Sequence, residues 1–125
     1  MYPTLVALNC LGRTCCINAA TTARGMQQVG LLFVLSPALR WLYPEGAARA
    51  RAFARYGGHS NTHPFMIPLF VGILLSLEEE IAKGTLSESA VSSVRETLAT
   101  TLSALGDSFF SGTLLPLWAL VSVAL

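Results

Sequence analysis

Apolar residues gather along the chain into four segments, each of them short and each interrupted. Residues 5–17 are mixed, broken by Asn9, Gly12 and Arg13. Residues 29–39 carry Pro37 near their end, residues 64–77 hold Pro68 and no charge, and residues 109–125 are cut by Gly112 and Pro116. At about 1.5 Å rise per residue, 64–77 reaches only about 21 Å as a helix, short of the roughly 30 Å of a bilayer core. Pro68 predicts a kink there, because its ring removes a hydrogen bond and clashes with the preceding turn. Repeated Pro and Gly breaks predict discontinuous or re-entrant helices, which survive at membrane depth only when buried in protein or lining a cavity.

Two more polar helices fall between these runs. Pro44 is placed as the first residue of one, with Glu45 in its first turn where the dipole favours an anion. Arg49, Arg51 and Arg55 follow, Arg40 lies just upstream, and Gly57-Gly58 ends the element. Such a run reads first as a solvated face, and beside apolar segments its positive charge places it on the cytoplasmic side. The second is an amphipathic helix near 86–105. Thr85-Leu-Ser-Glu88 predicts a capping box, and Leu86, Val91, Val94, Leu98, Leu102 and Leu105 make one apolar stripe. Ser87, Ser92, Arg95, Glu96 and Thr100 take other faces, and Gly106 is placed to stop the helix. The stripe packs on the rest of the protein or lies in a bilayer interface. No internal repeat or low-complexity tract is present.

Composition sharpens this into a membrane protein. Of 125 residues, 53% are hydrophobic and only 12% charged, with mean hydropathy +0.57, whereas soluble domains carry about 25% charged residues. Lipid bilayer or a partner subunit must cover much of the exterior. The fold class that follows is an all-α membrane protein of short Pro/Gly-broken and re-entrant helices, in one domain. A net charge of +1 with no basic stripe gives no reason to propose nucleic acid. Cys10, Cys15 and Cys16 form neither a disulfide framework nor a zinc knuckle. They read as small semi-buried residues or, less simply, as acylation sites. Residues 1–8 lack the basic leader of a cleavable signal.

The residues with chemical potential cluster at the hook His59-Ser-Asn-Thr-His63 and at Asp107. Polar residues abutting a short Pro-interrupted helix are how transporters build a substrate site. His59 and His63 are four apart, but the Pro after them argues against a continuous helix and no third ligand is placed, so no metal or cofactor is expected. Asn61, Thr62 and His63 fit a cap for the helix opening at Pro64, a role compatible with ligand contact. Asp107 reads either as the N-cap of the next helix or as a functional ionisable group at a membrane edge. Glu78-Glu79-Glu80 reads as a solvated helix end that needs a basic or hydrogen-bonding neighbour. No nucleophile triad, phosphate loop or dinucleotide fingerprint appears, so the chain is not read as an enzyme.

Beyond these physical readings, an ordered set of fragments from near Leu11 to the C-terminus resembles a known family. They are Gly25-Met26-Gln27 with Gly30; Pro37-Ala38-Leu39-Arg40 with Leu42-Tyr43-Pro44; Asn61-Thr62-His63-Pro64; Gly72-Ile73-Leu74 through Leu77-Glu78-Glu79; and Gly106-Asp107-Ser108-Phe109-Phe110 with Gly112-Thr113 and Pro116. The family is the IID membrane subunit of the mannose/fructose/sorbose-type sugar phosphotransferase system. The resemblance implies a subunit of the bacterial inner (plasma) membrane that pairs with an IIC subunit to import a hexose or hexosamine, within a higher-order oligomer. Soluble IIA and IIB proteins would phosphorylate the sugar, and IID itself would carry no phosphoryl group. On that reading Gln27, Asn61, Thr62, His63 and Asp107 line or support a sugar site. Two departures stand out. Family members run longer, which makes this chain a fragment or a short form keeping the N-terminal half. Thr21-Thr22 and Arg24-Gly25 stand where the family has Trp-Asn and Glu-Arg. The alternative expectation is therefore a degenerate, transport-inactive partner of a phosphotransferase complex.

Overall fold

The computed structural model describes residues 3–125, and among these all regular structure is helical; the leader reading of residues 1–8 lies partly outside them. Helix α1 (Thr4–Arg13) runs into a 3-10 segment (Thr14–Ala20), followed by α2 (Gln28–Leu42) and α3 (Gly46–Arg55). A short 3-10 turn (Pro64–Met66) leads into α4 (Ile67–Ala82). Helix α5 (Glu88–Gly106), a π-helical stretch (Asp107–Leu114) and α6 (Leu115–Ala124) then form one unbroken rod.

The core lies between α2, α4 and α5. Leu31, Val34, Leu35, Ala38 and Leu39 repeat at helical spacing on α2 and meet Phe70, Val71, Leu74 and Leu75 of α4, with Ala99 and Leu102 from α5. Gly30 lets α2 approach the first 3-10 segment, because a Cβ there would overlap the carbonyl of Ile17. Pro37 sits inside α2 and supplies no N–H to the Phe33 carbonyl four residues back. Arg13 Nη1 and Ser36 Oγ donate to that carbonyl instead, at 3.2 and 2.9 Å. Arg13 also stacks over the Phe33 ring at 4.5 Å, so one cation compensates a helix defect and ties α1 to α2.

Several expected boundaries fall elsewhere. Pro68 does not kink a helix: α4 begins at Ile67, and the proline occupies its first turn, where a missing N–H costs nothing. Pro44 precedes α3 rather than opening it, with Glu45 at the N-cap. Ser87, not Thr85, caps α5, accepting from the Ala90 N–H at 3.3 Å, while the Thr85 hydroxyl turns back to Glu80. Within the apolar stripe Val91 and Leu102 are buried, but Val94 and Leu105 are exposed. The buried face of α5 is Val91, Arg95, Ala99, Leu102 and Gly106, so Arg95 lies inward.

The largest change concerns the join after Gly106, which neither stops α5 nor lets Asp107 cap a new helix. Both have ordinary right-handed helical dihedrals. The rod widens by π turns instead, with Leu115 N–H reaching the Phe110 carbonyl and the Thr113 hydroxyl reaching that of Ser108. That register takes up the discontinuity Pro116 imposes on the next turn. Glu88–Ala124 is the one helix among the described residues long and apolar enough to cross a membrane. Its outer half exposes Leu115, Trp118, Leu120 and Val123.

Away from the rod, the acidic run of α4 divides. Glu79 and Glu80 reach Lys83 at 3.1 and 3.0 Å. Glu78, expected in solvent, is fully buried because four donors surround it. Arg55 Nε and Nη2 clamp its two oxygens at 3.1 and 2.9 Å, Tyr56 OH donates at 2.7 Å and Tyr43 OH at 2.9 Å. Arg55 is therefore not part of a solvated face; its third nitrogen reaches Glu88 at 2.8 Å, joining α3 to α4 and to the start of α5. Burial and the Glu78 carboxylate push Tyr43 up to about 12 from its usual 10.0. The phenol's raised value means the folded state holds this proton longer than the unfolded chain. Its contribution to stability is complete below pH 10 and is lost as pH rises through 12. Ultraviolet titration of tyrosinate should show a late step near pH 12 that is absent in Tyr43→Phe.

Candidate functional site

Two strands of irregular chain, residues 22–27 and 58–63, are sewn together beside α5. Gln27 N–H donates to the Ser60 carbonyl at 2.8 Å, and Ser60 N–H to that of Gly25 at 3.3 Å. Met26, closed by paired backbone bonds to Thr22, adopts φ +51°, a left-handed conformation that carries strain for a side chain of this kind. The turn drives the Gln27 amide inward. Its carbonyl accepts from Thr62 N–H at 3.0 Å, and its NH₂ donates to the Thr62 carbonyl at 3.1 Å and to Asn18 Oδ1 at 2.9 Å. Gln27 thus mimics a strand partner and fixes Thr62.

The next residue, His63, caps the 3-10 turn by accepting the Phe65 N–H at Nδ1, 3.4 Å away. That places the ring proton on Nε2, which points at Asp107 Oδ1 4.0 Å away. The ring stacks on Phe110 at 5.2 Å, within 10° of parallel. Close approach of α5 makes this possible, because a Cβ on Gly106 would overlap His63 Cβ. Asn61 and Thr62, expected to help cap that helix, do not.

Gln27, Asn61, Thr62, His63 and Asp107, the five predicted site residues, all line one cavity of 290 Å³. They enter it differently. Gln27 is consumed by its three bonds, whereas Asn61 and Asp107 are exposed. Thr62 is only 2% exposed, yet its hydroxyl has no partner among the described residues. A buried hydroxyl left unpaired costs about 1–3 kcal/mol, and this one belongs to a residue of the cavity wall, within reach of a small shift that would let it meet a polar ligand or water. Sequence reading missed Asn18 and Ser103, which share the lining. Ser103 is four residues before Asp107, on its helical face, a signal hidden by taking Gly106 as a stop. His59 points elsewhere, its Nδ1 3.3 Å from the Arg24 carbonyl.

Residues 6–125 match the family described as the PTS system mannose/fructose/sorbose family IID component. The chain belongs to the IID component family. Among its relatives, the mannose-specific EIID component of Escherichia coli (strain K12) is 38% identical over 96 residues, covering 75% of this chain and 34% of the relative. The fructose permease IID component of Bacillus subtilis (strain 168) is 32% identical over 101 residues, covering 80% and 37%. In three dimensions the chain is similar to a component of the cryo-EM structure of the mannose transporter ManYZ with microcin E492. The TM-score is 0.88 at 29% identity, over 99% of this chain and 46% of that one. A second solved structure, described only as a membrane protein, gives 0.84 at 27% identity. The chain thus spans about a third of the length of the curated IID relatives it matches. The matched family is a component of the phosphotransferase system, and the all-helical fold and long apolar helix of this chain agree with membrane character.

Proposed function

We propose that this IID protein is a sugar-translocating subunit of the bacterial inner membrane that works with an IIC partner. It imports a hexose or hexosamine that soluble IIA and IIB proteins phosphorylate, is not itself catalytic, and assembles into a higher-order oligomer. Residues 1–125 act as a single IID-like unit, with the arginine-bearing α3 toward the cytoplasm. The observation that carries the sugar site is the unpartnered Thr62 hydroxyl beside Asn61, His63 and Asp107 in a cavity close to the lower limit of ligand pockets, about 300 Å³. Hydroxyls, amide, imidazole and carboxylate together offer donors and acceptors that a polyol can satisfy in both directions. Selectivity follows because any analogue lacking a hydroxyl leaves a buried group unpaired.

Asn61→Ala, in cells carrying the complete transporter, should cut sugar uptake roughly tenfold while leaving the protein in the membrane fraction. The side chain is exposed, so stability should hold. Uptake at the unaltered rate removes Asn61 from the site. A second reading, a transport-inactive binding partner, is favoured by Thr21. This residue, standing where the family has another type, lines the same cavity. Co-purification with an IIC protein without sugar-dependent uptake by the unaltered chain would decide for it.

A further inference from the structure

Arg95 is the buried charge that the sugar site does not use. It sits on the inward face of α5 at 5% exposure, and a Cβ on Gly58 would lie 3.1 Å from its Nη2. Neither Nε nor Nη1 has a hydrogen-bond partner among the described residues. Nη2 reaches Glu96 Oε1 only at 3.5 Å, and that carboxylate is 72% exposed. Elsewhere in this protein a buried guanidinium is fully answered: Arg55 has Glu78 and Glu88. Arg95 lines a cavity of 620 Å³ with Gly58, Ser60, Asn61, Ser103 and Asp107.

A desolvated guanidinium with two free donors requires compensation by negative charge. Its fork geometry matches the paired oxygens of phosphate or carboxylate. The charged groups around the cavity grade from Arg95 on its wall to Glu96 and Asp107, both exposed, with His59 alongside. Among the described residues Glu96 is the carboxylate paired with this cation, through Nη2 at 3.5 Å, and Nε and Nη1 stay unanswered. The cavity also shares Asn61, Ser103 and Asp107 with the 290 Å³ cavity, so one ligand can reach both.

We propose that Arg95 forms an oxyanion site for a phosphate group, and that together the two cavities hold a phosphorylated monosaccharide, ring by Asn61 and Thr62, phosphate on Arg95. The sugar-ring half rests on the transport reading above; the phosphate half does not. Ser60 and Ser103 line the same cavity as Arg95 and offer hydroxyl donors there.

The test uses the assembled membrane complex in detergent, with calorimetric binding of inorganic phosphate, a hexose 6-phosphate and the free hexose. Arg95→Gln should weaken both phosphate-bearing probes about tenfold or more, and leave free hexose unchanged. Glu96→Gln should tighten both by relieving repulsion. Asn61→Ala should weaken the hexose and hexose 6-phosphate but spare inorganic phosphate. Gly58→Ala, which crowds the guanidinium without removing it, covers the case in which Arg95→Gln fails to assemble, and should weaken phosphate binding. Phosphate binding without free-hexose binding would remove the sugar reading and keep the Arg95 site. Failure of inorganic phosphate and hexose 6-phosphate to bind, or equal binding by a normally assembled Arg95→Gln complex, overturns it.

Discussion

Arg55→Met is expected to destabilise the helical framework by about 3–5 kcal/mol, the range for breaking a buried ion pair from one side. The change strips Glu78 of both guanidinium bonds and leaves a carboxylate at 0% exposure with only the Tyr43 and Tyr56 hydroxyls. Glu78→Gln should cost less, about 1.5–3 kcal/mol. Arg55 then keeps Glu88 at 2.8 Å, and the amide oxygen still accepts one hydroxyl. The double variant Arg55→Met, Glu78→Leu removes both charges together and should recover much of the loss, since an apolar replacement of a buried pair is often neutral. Denaturant titration of the purified complex, followed by helical circular dichroism, reads all three. Equal stability of Arg55→Met and the unaltered protein would show that the clamp contributes nothing, and a double variant no better than Arg55→Met would show that its cost is lost packing.

This clamp marks where sequence reading ran out. Tyr43, Arg55 and Glu78 lie on three different elements, and nothing in their spacing predicts that one carboxylate collects all of their donors. The local rule that places three acids at a helix end in solvent holds best for Glu80, only partly for Glu79, and fails for Glu78, which faces α3. Periodicity served better where burial is continuous: α2 and α4 emerge where the apolar runs lie, with Pro68 in the opening turn of α4 and Pro37 held inside α2. That five residues would share one cavity was legible because Asn61, Thr62 and His63 adjoin a proline-opened helix and because the ordered fragments resemble a family. Arg95 was placed on a polar face because its neighbours Ser92 and Glu96 are polar. In the fold the Gly58 segment lies against the Arg95 guanidinium and the position is buried, a long-range contact that local polarity does not reveal.

The helix break predicted at Gly106 failed for a different reason, since glycine answers two physical needs that a sequence does not separate. It permits left-handed backbone, and it permits contact. Gly106 meets the second, and the continuous rod follows: Ser103, Asp107 and Phe110 stay on one helical track, delivering a hydroxyl, a carboxylate and a stacking ring to the same site. Its apolar extension is left without cover from the rest of the described chain, the condition of a helix whose solvent is lipid or another subunit.

The contact role of Gly106 leads to the second large expected effect. On an isolated helix Gly→Ala stabilises by about 1 kcal/mol, and Gly72→Ala in α4, where a Cβ meets nothing within 4 Å, should show that gain. Gly106→Ala should do the opposite. The new methyl overlaps His63 Cβ, an atom fixed by the backbone that no rotamer change moves, as well as Cγ. His63 cannot retreat freely, because Thr62 before it is held on both sides of its peptide by Gln27. The helix must therefore move away, at a cost of about 1–3 kcal/mol, carrying Asp107 and Phe110 from His63. Sugar uptake by the complete transporter should fall at least about tenfold, in keeping with the loss of one or more well-placed polar contacts, while Gly72→Ala transports normally. Thermal unfolding of the complex and uptake, measured side by side, separate the readings. A Gly106→Ala protein that is both more stable and fully active would mean that α5 and the 61–64 segment are not in the close contact on which the cavity is built.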